Sequence, residues 1–251
     1  MKRMKRMKSF LMDNYIIFCI YALIGWLYEV LWMWFVVPPY HFINRGVLIG
    51  PFLPIYGFGM LILLLLLKKF MSTKHKAGNM LYATISVITI ITFITVTIIE
   101  YTTPKIYNVG VLFQKYGLLL VLVNLIGVIV INLLIKNNKK LQKIDTTIVL
   151  VFLLIWIITT LIEYVSHFAI DKLTGNLLWD YTKDFLNINA RVNWDASRNF
   201  AIGGTLLLYA VQPLINNLLK KLKDNQKLVI TLVIGIPMLL DFILHVILKV
   251  I

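Results

Sequence analysis

The chain has 251 residues, of which 60% are hydrophobic and only 14% charged, with a mean hydropathy of +0.85. That composition excludes an ordinary soluble domain. The formal net charge of +14 would suit a nucleic-acid partner, but 17 of the 25 Lys and Arg residues fall in four short segments, 1–8, 68–76, 136–143 and 220–227, between apolar stretches. This distribution excludes a nucleic-acid surface and needs no partner beyond anionic membrane lipids.

Apolar stretches near 20 residues recur along the chain, each long enough to cross a hydrocarbon core roughly 30 Å thick. The predicted spans are 15–37, 47–67, 80–100, 116–135, 147–168, 198–218 and 228–248. They describe one integral membrane domain over residues 1–251, an all-α polytopic transmembrane bundle of about seven spans. By the positive-inside rule the N-terminus and the Lys clusters are cytoplasmic and the C-terminus is outside. Helical spans with this bias place the protein in a bacterial cytoplasmic membrane, since outer-membrane proteins are barrels. The basic start resembles a signal peptide. The apolar run is too long for one, contains Glu29 and meets no small-residue cleavage site, so an uncleaved helix is expected. Cys19 is the only cysteine, which excludes an intrachain disulfide and a thiolate metal cluster.

The first span carries Trp26-Leu27-Tyr28-Glu29 in its outer half. A carboxylate at the centre of a membrane helix costs about 2.5–3.5 kcal/mol, so it is expected to face a cavity, a partner or the interface. The second span opens with Asn44-Arg45-Gly46-Val47-Leu48-Ile49-Gly50-Pro51-Phe52-Leu53-Pro54, in which proline removes amide donors and weakens the helix. Such a broken helix is either a binding surface or a kink packed by small residues. The third span ends in Ile98-Ile99-Glu100-Tyr101, nearer the interface. The fifth contains Leu161-Ile162-Glu163-Tyr164, so the outward-running helices repeat a glutamate and suggest three helix hairpins with a seventh helix appended.

Glu163 and His167 lie four residues apart on one helical face, as do Asp241 and His245 on the seventh span. These pairs suit proton exchange near neutral pH, or simple local satisfaction of polar groups; no metal or cofactor is expected. The longest outer loop, about 170–197, mixes aromatic and charged residues, including Trp179-Asp180-Tyr181 and Arg191, as functional loops do. No Walker A loop, His-Glu-x-x-His pattern or Gly-x-Ser-x-Gly elbow is present.

Gly25-Trp26-x-x-Glu29-Val30 followed by Asn44-Arg45-Gly46-x-Leu48-x-Gly50-Pro51-x-x-Pro54-Ile55-Tyr56-Gly57-x-Gly59 resembles the first half of the putative ABC-transporter type IV permease family of bacterial membrane proteins. Thr174-Gly175, Trp179-Asp180-Tyr181, Asn187 and Arg191, then Ser197, resemble its second conserved stretch. Ala190 departs from the glycine expected before the arginine. The likeness covers roughly residues 20–60 and 160–205, and the third and fourth helices look like additional material. It implies a permease component without naming a substrate, and a separate ATPase subunit as partner. The candidate binding residues are Glu29, Asn44, Arg45, Glu163, His167, Asp180 and Arg191, with Asp241 and His245 as a second pair. The alternatives are a membrane-embedded enzyme acting on a lipid-linked or outer-leaflet substrate, and a non-catalytic, immunity-type membrane partner.

Overall fold

Apolar runs of this length satisfy their backbone groups internally only as helices, and all the regular structure described is helical. The computed structural model describes residues 2–36, 40–44, 48–103, 105–174 and 179–244. Among the described residues seven helices are long and apolar enough to cross a membrane: α1 Lys2–Phe35, α2 Pro54–Met71, α3 Met80–Thr102, α4 Val109–Asn137, α5 Thr147–Thr174, α6 Trp194–Lys221 and α7 Asp224–Phe242. The protein is therefore a multi-pass membrane protein.

Local chemistry sets the ends. Asn79, Asn108 and Asn193 cap α3, α4 and α6, their side chains accepting from the amides of Leu81, Gly110 and Ala196, which satisfies donors a helix start leaves open. The second helix begins at Pro54 rather than in the predicted stretch from 47. Proline has no amide to lose at a first helical position, and Leu48–Leu53 before it is irregular. Within α6 the residues Leu207–Val211 form a π-helical turn; Pro213, just beyond, removes an amide donor from the helical ladder.

The chain divides into two compact units, Met1–Leu65 with Leu208–Ile251, and Leu66–Leu207. In the first, α1 packs against α7 and α2. Its core holds Phe18, Cys19, Ala22, Leu48 and Met238, with Tyr15, Phe52, Leu61 and Ile234 against it. The Tyr15 hydroxyl donates to the Gly235 carbonyl at 3.0 Å, and the Tyr21 hydroxyl to Gln212 Oε1 at 2.9 Å. Lys227 of a basic cluster is buried and pairs with Asp13 at 2.6 Å.

In the second unit α3 packs on α4 and α5, and α5 on the first part of α6. Phe93, Trp156 and Trp194 form an aromatic cluster with ring centroids 5.0–5.8 Å apart. Polar side chains link α3 to α4: Asn124 donates to Thr92 at 3.1 Å and Asn132 to Thr84 at 2.9 Å, bonds that hold membrane helices where hydrophobicity drives no association. The long α5–α6 loop is pinned to the α3–α4 connection, since the amides of Leu186 and Asn187 donate to the carbonyls of Ile106 and Tyr107 at 2.9 and 3.1 Å.

Candidate functional site

The predicted site residues fall into two groups, one in each unit. In the first unit the irregular segment Leu48–Leu53 lies beside α1. Its Leu53 amide donates to the carbonyl of Ala22 at 2.9 Å, and Ala22 is fully buried near the middle of the Arg6–Phe35 span. Two further amides of the segment, those of Ile49 and Gly50, donate to the Asp241 carboxylate of α7 at 3.2 and 2.7 Å. Asn44 completes the clamp. Its side-chain amide donates to the carbonyls of Leu48 and Ile49 at 3.2 and 3.0 Å, while its Oδ1 accepts from Trp26 Nε1 at 2.6 Å. Glu29, half-buried on α1, accepts from the Tyr56 hydroxyl of α2 at 2.5 Å. Arg45 and His245 lie outside the described residues.

In the second unit Glu163 and His167 are both buried in the C-terminal half of α5, and each meets a different part of the α5–α6 loop. The Glu163 Oε1 atom accepts from the Tyr181 hydroxyl at 3.1 Å. His167 Nε2 lies 2.8 Å from the Trp179 carbonyl and Nδ1 lies 2.7 Å from Arg191 Nη1. A guanidinium only donates and a carbonyl only accepts, so these contacts together require the neutral imidazole with its proton on Nε2. Arg191 also pairs with Asp171 at 3.1 Å and lies over the Phe168 ring, 5.3 Å from its centroid. Its carbonyl accepts from Trp179 Nε1 at 2.9 Å.

Asp180 does not join this network by a hydrogen bond. It is exposed and its carboxylate accepts from the amide and hydroxyl of Thr182. Those bonds, with lesser help from Lys183, hold its acid below the ordinary aspartate range.

Asp171 was not among the predicted site residues, although Glu163, His167 and Asp171 continue one four-residue spacing along a single face of α5. Arg198 was also missed. It lies between Glu100 and Asp195 and pairs with both. A lone arginine at a helix start carries no sequence signal for a partner 98 residues away.

These positions hold carboxylates on backbone amides or tyrosine hydroxyls, and an arginine on a histidine and an aspartate. Such an arrangement fixes a loop and an irregular segment in place, and can respond to loss or gain of charge. A family model described as Putative ABC-transporter type IV matches residues 16–116 and 105–246. The matched residues include α3 and α4, which the shorter motif stretches did not cover. No curated protein and no solved structure matches the chain.

Proposed function

The chain belongs to the putative ABC-transporter type IV family, and from that premise we propose that it is a membrane component of an ABC-type transport system in a bacterial cytoplasmic membrane. The sequence holds no Walker A loop, so a separate ATPase subunit would supply the energy. The polar site lies in the outer half of the bundle, and the substrate meets it at the irregular stretch before α2.

One observation carries this reading: Leu48–Leu53 is non-helical backbone that reaches the depth of Ala22, with three of its amides held by the Ala22 carbonyl and the Asp241 carboxylate. Backbone of this kind persists at membrane depth only where protein or a water-filled cavity satisfies it, and transporters use such breaks to meet substrates and ions. The network around Arg191 supports transport over the enzyme alternative, because its guanidinium is engaged by His167 and Asp171 rather than presented to a phosphate.

The test compares solutes inside and outside cells that express the protein, lack it, or carry Asp241→Asn. Removing the charge from two amide hydrogen bonds forfeits about 1–2 kcal/mol, so transport should fall roughly tenfold while insertion and abundance hold. Affinity purification from native membranes should recover a subunit with a Walker A loop. Unchanged solute distribution on deletion, with no such subunit recovered, overturns the proposal.

A further inference from the structure

The loops at the Lys-rich end of the second unit are paired rather than free. The Thr146 amide donates to the His75 carbonyl at 2.8 Å, that of Ala77 to Ile144 at 2.9 Å and that of Gly78 to Gln142 at 2.9 Å. The α2–α3 and α4–α5 connections therefore run antiparallel along each other. His75 anchors them from beneath. It is buried, stacked on Phe70 with ring centroids 4.0 Å apart and edge-on to Tyr82 at 4.9 Å, and its amide donates to Thr147 Oγ1 at 2.9 Å.

This pairing brings Lys74 and Lys76 from one loop and Lys139 and Lys143 from the other around a single open hollow of about 560 Å³, which Asn79 and Tyr82 also line. The nearby carboxylate, Asp145, is turned to Thr147, accepting from its amide at 2.9 Å and its hydroxyl at 2.5 Å. Four exposed lysines thus line the hollow, and Asp145 offsets only part of the charge of Lys74. Orientation in the membrane needs lysines only near the surface; it does not need two loops fastened together so that their lysines share one hollow. The start of α3 at Met80 adds the positive end of a helix to the same wall.

We propose that this cavity binds a multiply charged phosphate group, carried either by an anionic lipid headgroup or by a soluble phosphorylated molecule. Lysine ammonium groups are compact, rotatable donors suited to phosphate oxygens, and basic hollows on the cytoplasmic side of membrane proteins take such headgroups. The site is separate from the carboxylate and arginine groups described above, and its occupancy does not depend on transport.

The experiment uses the purified full chain in nanodiscs of zwitterionic lipid at low salt. One arm titrates inorganic pyrophosphate. A second adds a lipid bearing two phosphates, with a singly charged anionic lipid at equal total charge as its control. Binding is read by native mass spectrometry and by the shift in melting temperature. Saturable binding is expected in at least one arm, and the arm identifies the source: lipid alone for a headgroup, pyrophosphate as well for a soluble ligand. In the double variant Lys74→Gln with Lys139→Gln, affinity should drop roughly tenfold to thirtyfold. The matched double variant Lys220→Gln with Lys221→Gln, at the end of α6, should bind as the parent does. Without anion the first variant should melt no lower than the parent, because relieving repulsion among exposed lysines does not unfold the loops. Lack of saturation in both arms, or equal weakening in both double variants, overturns the proposal.

Discussion

Ala190 adopts φ 59°, next to Asn189 at φ 53°, in the turn that delivers Arg191 to His167 and Asp171. A left-handed conformation costs an L-residue with a Cβ about 1–2 kcal/mol, and this is the position where the sequence resemblance leads to the expectation of glycine. The turn is kept here by its bonds, including the Tyr181 amide on the Ala190 carbonyl at 3.0 Å. Ala190→Gly should therefore raise stability by up to about 1 kcal/mol, the relief being partly offset by the freer unfolded chain. Thermal unfolding in a fixed detergent measures it, and a lower melting temperature would show that the turn is not strained. The three membrane glutamates also separate at this scale. Glu29 and Glu163 each accept from a tyrosine hydroxyl, whereas Glu100 pairs with Arg198. The first two are thus alike in chemistry, and Glu100 is an ion-pair partner.

At the scale of elements, α1 and α2 approach closely through glycine. A Cβ on Gly57 would lie 2.6 Å from the Phe18 carbonyl oxygen of α1, whereas one on Gly59 would meet nothing within 4 Å. Backbone cannot swing aside as a side chain can, so Gly57→Ala should destabilise by about 1–3 kcal/mol. Gly59→Ala should be neutral or stabilising by up to about 1 kcal/mol, the helix propensity gained. Parallel melting curves decide it; equal stability of the two variants would mean that the helices are not in this contact. The number of helices, the break ahead of α2 and the shared face of Glu163 and His167 were legible in the sequence, because hydropathy, proline and four-residue spacing are local signals. The partners were not. Asp241 reads locally as a mate for His245, which lies outside the described residues; that it accepts from the amides of Ile49 and Gly50, some 190 positions away, is encoded by nothing in its own neighbourhood. The paired loops under the lysine cavity were hidden for the same reason: backbone bonds between distant connections leave no composition behind.

For the molecule as a whole, hydropathy and charge make two independent statements about one boundary. Only 11% of the most apolar window of α4 is buried inside the protein, and Leu118 and Val121 on it stay largely exposed, as residues facing lipid do. The ends of the helices carry the other statement. The α2–α3 and α4–α5 connections bring the lysine cavity to one end of α5, and the loop of Trp179, Tyr181 and Arg191 closes on the other. If the lysine-rich end is cytoplasmic, the cavity meets inner-leaflet headgroups and cytosolic solutes, and the carboxylate network faces the outside. Single cysteines at Lys140 and Lys183, both exposed, test this directly, and Cys19 can remain because it is only 3% exposed. A membrane-impermeant maleimide should label Lys183→Cys in intact cells and Lys140→Cys only after permeabilisation. The reverse pattern would turn the molecule over, moving the hollow to the outer surface and the Arg191 network to the cytoplasmic side.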